Sequence, residues 1–114
     1  SGGNFKMVKA IKIESKINEI TEAWSPVEVA RINDYVLRLA FFRGEYHWHN
    51  HANEDELIFV YKGKIVVQFK DRPNVKLSTG EMIVIPKGVE HCPKSLEDSY
   101  VLMFEPASLK SKGN

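Results

Sequence analysis

A single cysteine, Cys92, leaves this chain no internal disulfide framework and makes a reducing, cytoplasmic setting the expected one. Charge of one sign is not in excess either. Sixteen Lys and Arg against fifteen Asp and Glu give a formal net charge of +1, which supplies no electrostatic case for nucleic acid or an anionic membrane. A DNA-reading helix is absent from the pattern, which disfavours a self-contained transcription regulator. Long hydrophobic runs are missing as well: Lys6, Lys9 and Lys12 interrupt the opening segment, and no later stretch has the length to span a bilayer. Ser1-Gly2-Gly3 reads as an expression scar and carries no argument. No repeat, linker or low-complexity segment divides the chain.

What is present is a chain of 114 residues, 43% hydrophobic and 27% charged, enough for one core and too short for two. Residues 1–114 therefore read as a single domain, with 107–114 a polar, flexible tail. Apolar segments are short and rich in β-branched and aromatic residues, and turn signals punctuate them. Strands are expected over residues 34–43, 46–50, 56–61, 64–70, 75–77, 82–85, 89–93 and 99–105. Only one helical turn is expected, capped by Ser15 and running to Glu22, with Ile17 and Ile20 on one face.

Several strands, such as LIFVY at 57–61 and YVLMF at 100–104, are apolar on both faces. A second layer must cover the outer one, and a homodimer is the expected cover.

The chemistry concentrates in HWHNHANEDE, residues 47–56. On an extended segment His47, His49 and His51 project the same way. His49 and His51 form an H-x-H pair, four residues precede Glu56, and six more precede Gly63. The alternative register, His47 and His49 with Glu54, puts Tyr61 where a turn glycine is wanted. A second cluster, GEMIVIPKGVEH, spaces Gly80, Pro86, Gly88 and His91.

These spacings resemble the two signature motifs of the cupin family over residues 44–95. Two departures stand out: four residues rather than five separate Gly44 from His49, and Ser95 replaces the second motif's Asn. The resemblance implies an all-β, antiparallel jelly-roll barrel in which His49, His51, Glu56 and His91 converge on one divalent metal. Three imidazoles and a carboxylate suit Zn, Mn, Fe, Co or Ni, whereas calcium wants more oxygens. Metal loading is then expected to fall below about pH 6.5, the ordinary histidine value.

Other residues keep alternatives open. His47 is an alternative ligand, a base behind the ligands, a substrate contact or a packed side chain. Arg38 either points inward to hold a substrate carboxylate or phosphate, or pairs with an acid at an edge or interface. Tyr46 and Trp48 are expected to face outward, Glu54 and Asp55 to serve the turn, and Cys92 to be a buried structural thiol.

Two functions fit. One is a metalloenzyme, of dioxygenase or isomerase type, acting on a small polar or carboxylated molecule inside the barrel. The other is a module that binds or senses a small ligand without turnover.

Overall fold

In the computed structural model, residues 7–109 and 113 are described. The expression scar expected at residues 1–3 and half of the expected tail, residues 110–112 and 114, lie outside them.

Alternation drives the architecture. In Glu56–Lys62 (β3), Glu56, Ile58 and Val60 are buried while Leu57, Phe59 and Tyr61 are half-exposed on the other face. The same alternation in Tyr35–Phe42 (β2) and Ser99–Pro106 (β8) puts Val36, Arg38, Ala40 and Phe42 on one face, with Val101, Met103 and Glu105. With Val27–Ile32 (β1) and Met82–Ile85 (β6) these strands form a five-stranded sheet, ordered β1-β2-β8-β3-β6. Lys64–Phe69 (β4), Val75–Ser78 (β5) and His91–Ser95 (β7) form a second sheet, ordered β5-β4-β7. Every ladder is antiparallel. The two sheets enclose one core of Ala40, Phe42, Ile58, Val60, Ile65 and Val67 with neighbours from β5, β6 and β8. This is the expected jelly-roll sandwich.

The β3–β4 turn depends on Gly63. Its φ of 118° lies where L side chains rarely go, and a Cβ there would sit 2.8 Å from the Ser99 Cα. Ser99 Oγ in turn accepts from Lys64 N at 2.9 Å.

Three expectations about elements need correction. Residues 46–50 are no strand: only isolated bridges, Glu45 to Lys94 and His49 to His91, tie that segment to β7. Val27–Ile32 is a strand, at the sheet edge, although its VEVARI sequence sits next to Pro26 and carries charges at Glu28 and Arg31. The helix (α1) covers Ile13–Ile17 rather than 15–22, and its N-cap is Lys12, which makes no side-chain cap. Ser15 lies inside the first turn and its N–H bonds Lys12 O at 3.1 Å.

The outer face of the larger sheet is partly covered by the chain itself. Ile13, Ile17 and Ile20 pack with Val29, Leu39 and Leu102 in a second cluster. Tyr35, Met82 and Val84 on the same sheet stay 44, 54 and 59% exposed. Beyond β8, Leu109 is 3% exposed and Ala107 N donates to Asp34 O at 2.8 Å. No helix among the described residues is long and apolar enough to cross a membrane.

Candidate metal centre

Three histidines reach one point from two directions. The segment between β2 and β3 carries His49 and His51, and it is laid along β7 by a reciprocal backbone pair. His49 N donates to His91 O at 3.0 Å, and His91 N donates to His49 O at 2.9 Å. Further along, Gly88 N donates to His51 O at 2.8 Å, and the Asp55 carboxylate accepts from Lys87 N at 2.8 Å. The two loops are thereby pinned together. Ring nitrogens of His49, His51 and His91 all lie within 4.8 Å of one another.

Glu56, the first residue of β3, stands beside two of these rings. Its Oε1 is 3.6 Å from His51 Nε2 and 3.9 Å from His91 Nε2. These are not salt bridges at neutral pH, because all three imidazoles are held in the neutral form. Burial lowers His51 and His91 below the ordinary value, and lowers His49 to about 4. Burial also raises Glu56.

The tautomers leave lone pairs pointing inward. His49 Nδ1 lies 2.9 Å from His47 O and His91 Nδ1 lies 2.8 Å from Val89 O. Carbonyls only accept, so each Nδ1 carries the proton and each Nε2 a free lone pair. His91 Nε2 and both nitrogens of His51 are buried without a hydrogen-bond partner. Each buried orphan costs about 1–3 kcal/mol, a heavy load against a total stability of about 5–15 kcal/mol. A cation at the centre would satisfy His91 Nε2 and one nitrogen of His51. Ligand atoms held about 2.0–2.2 Å from one metal are separated by about 3–4 Å, and the 3.6 and 3.9 Å spacings fall in that range. The residues present therefore fit a transition metal.

Behind Glu56 lies a buried group that the sequence reading passed over. Glu105, 1% exposed, accepts from Arg38 Nη1 at 2.8 Å through one oxygen, and its other oxygen meets no protein donor. The carboxyl of Glu56 is its neighbour. Burial and the bond to Glu56 push Glu105 up to about 9, so it holds the proton and donates to Glu56. Arg38 thus does face into the barrel, yet it is spent on Glu105 and on the carbonyls of Leu109 and Ala107, 3.2 and 3.4 Å away. A signal existed: Arg38 and Glu105 are opposite charges at inward positions of adjacent apolar strands.

A narrow cavity of about 30 Å³, opening to solvent, leads to His49, Glu56 and His91. One wall is aromatic: Trp24 packs against Phe42 at 4.3 Å and Tyr46 at 4.7 Å between ring centroids. Ile58, Met103 and Pro93 line the rest. Tyr46 thus lines the cavity rather than facing outward, because the segment departs from strand alternation. Trp48 is 38% exposed, with the Lys70 ammonium 4.9 Å from its ring centroid. His47 is exposed and its ring centroid is 5.1 Å from that of His49. It acts on the site through its carbonyl. Cys92 is fully buried and free, as expected.

Comparison with known proteins agrees with this geometry. The family model described as a cupin domain matches residues 43–105. A crystal structure of a cupin-2 domain protein from Shewanella frigidimarina superposes with a TM-score of 0.80 at 41% identity, covering 84% of this chain and 93% of that one. Protein NMB1881 from Neisseria meningitidis gives 0.78 at 29% identity, covering 87% and 100%. The uncharacterized protein YdbB of Bacillus subtilis is 38% identical over 78 residues, 68% of this chain and 69% of its own.

Proposed function

Given that this chain belongs to the cupin family, we propose that His49, His51, Glu56 and His91 hold one divalent transition metal, drawn from Zn, Mn, Fe, Co and Ni, and offer its open positions to a small molecule in the barrel. The supporting observation is the orphaned state of His91 Nε2 and of the His51 ring: no side chain among the described residues bonds them, and a cation would take one nitrogen from each. Such a metal supplies Lewis-acid polarisation of a bound oxygen, or a docking point for dioxygen beside a chelated substrate.

The chain's own residues do the rest. His47 O and Val89 O fix two imidazole tautomers, Glu105 orients Glu56 by donating to it, and Arg38 holds Glu105. Ile58, Met103, Phe42 and Pro93 make the rest of the wall apolar. Turnover in such a site belongs to reactions that need no separate base, because Tyr46, raised by burial, stays protonated and cannot serve as one.

The second reading, a module that holds metal and ligand without turnover, is favoured by that same wall: outside the proposed ligands, Tyr46 is its one proton-transfer group among the described residues, and it stays protonated. Elemental analysis of protein purified without added metal, followed by oxygen-uptake screening against small diols and thiols, separates the two. Iron with uptake supports the enzyme; a bound metal with no turnover supports the binding module.

Two further proposals follow from the surface and the thiol. A second copy of the chain covers the apolar strip of Tyr35, Met82 and Val84, giving a homodimer. A free, buried Cys92 suits a reducing cytoplasm.

A further inference from the structure

With the metal held as proposed above, the shape and chemistry of the cavity constrain what can sit beside it. Its polar groups are gathered at one end, where His49, Glu56 and His91 stand with the Tyr46 hydroxyl nearby. The opposite wall is hydrocarbon. Among the described residues no Lys or Arg lines it, and Arg38, on the inner face, is engaged by Glu105 and two carbonyls. An anionic group on the body of a ligand would lose its hydration there and find no counter-charge.

The aromatic wall is also built rigidly. Trp24 has φ 65°, a left-handed conformation that side-chain-bearing residues rarely adopt. Surrounding bonds impose it: Trp24 N donates to Phe41 O at 2.9 Å, and its indole Nε1 donates to Arg43 O at 2.8 Å. The ring is thus fixed at backbone and tip, with Phe42 and Tyr46 packed on it. A tryptophan held at such cost, in a cavity wall, reads as a device for recognition rather than for packing alone.

We infer that the ligand is a small neutral molecule with one metal-chelating end and an apolar body, and that Trp24 selects it by contact with that body. The alternative in which Arg38 grips a substrate carboxylate is set aside, because Glu105 already engages Arg38.

The test uses the full chain loaded with Co(II), whose visible spectrum reports coordination, titrated with three hydroxamates sharing one chelating head: acetohydroxamate, benzohydroxamate and 4-carboxybenzohydroxamate. Benzohydroxamate is expected to bind at least about tenfold tighter than acetohydroxamate, roughly the discrimination one apolar group gives in a hydrophobic pocket. The carboxylated probe is expected to lose that gain. Trp24→Gly, which suits the positive φ while removing the ring, should cut the benzohydroxamate preference severalfold with the Co(II) spectrum retained, and Trp24→Phe should restore most of it. Tyr46→Ala should also reduce the preference, and serves if the glycine variant does not fold. An unchanged preference in these variants, or equal binding of the carboxylated probe, overturns the inference. Failure of the wild-type protein to take up Co(II) contradicts the metal centre itself, and the inference falls with it.

Discussion

His49 and His91 are bonded to each other through their backbones, N–H to carbonyl in both directions at 3.0 and 2.9 Å, while their rings, with centroids 4.4 Å apart, meet in the cavity. The scaffold of the site is therefore independent of the imidazoles it displays.

That independence makes ligand substitutions clean. His49→Ala and Glu56→Ala should each lower metal affinity by more than the roughly 10–100-fold typical of losing a ligand's hydrogen-bond partner, while circular dichroism stays that of the wild type. Equilibrium dialysis with metal analysis measures this. Full occupancy in either variant would remove that residue from the ligand set.

Acid should release the metal later than the ordinary histidine value suggests. Burial lowers His49 to about 4 and lowers His51 and His91 as well, so protons compete for these nitrogens at lower pH than the ordinary histidine value implies. The expectation of loss below about 6.5 is thus revised downward. The sign for stability is opposite to that of a histidine gaining a partner. Between about 6.5 and about 4 the unfolded chain takes up protons that the folded one refuses, so the metal-free protein should melt several degrees lower at pH 5 than at pH 7. A flat melting profile over that span would count against buried neutral imidazoles.

Glu105 predicts the reverse trend in alkali. Its folded value, pushed up to about 9, lies above the ordinary carboxyl value of 4.5, so its contribution is fully present below 4.5 and is lost as pH rises toward 9. Glu105→Gln keeps a donor to Glu56 without the ionisation. Metal-free protein carrying this change should outlast wild type at pH 9 by a few degrees, about 1 kcal/mol being worth about 4–8 °C in a domain of this size. Identical declines in the two proteins would deny the shared proton.

The exposed strip on the larger sheet is testable through assembly. Val84→Asp should weaken a dimer by about 2 kcal/mol, roughly 30-fold in Kd, with metal content unaffected. Light scattering on wild type and variant decides it. A monomeric wild-type protein, or a variant that dimerises equally well, would contradict the second-copy proposal.

The sequence carried the barrel and the gathering of His49, His51 and His91 because both depend on local pattern: alternation along strands, and fixed spacings around turn glycines such as Gly63. It misled at 46–50, where a strand-like run is held by backbone hydrogen bonds to Pro93 and His91 instead of a ladder, and Tyr46 stacks on Trp24. Glu105 and Trp24 were missed for a different reason. Their roles come from pairing across strands and from a loop folded back over the cavity, contacts remote in sequence, and only the inward parity of Arg38 and Glu105 hinted at one of them.

The most direct measurement is anomalous X-ray scattering from crystals grown with Mn or Co. The expected result is one strong peak about 2.0–2.2 Å from nitrogens of His49, His51 and His91 and from a Glu56 oxygen. A map with no peak there, or a peak held by other residues, would contradict the metal centre.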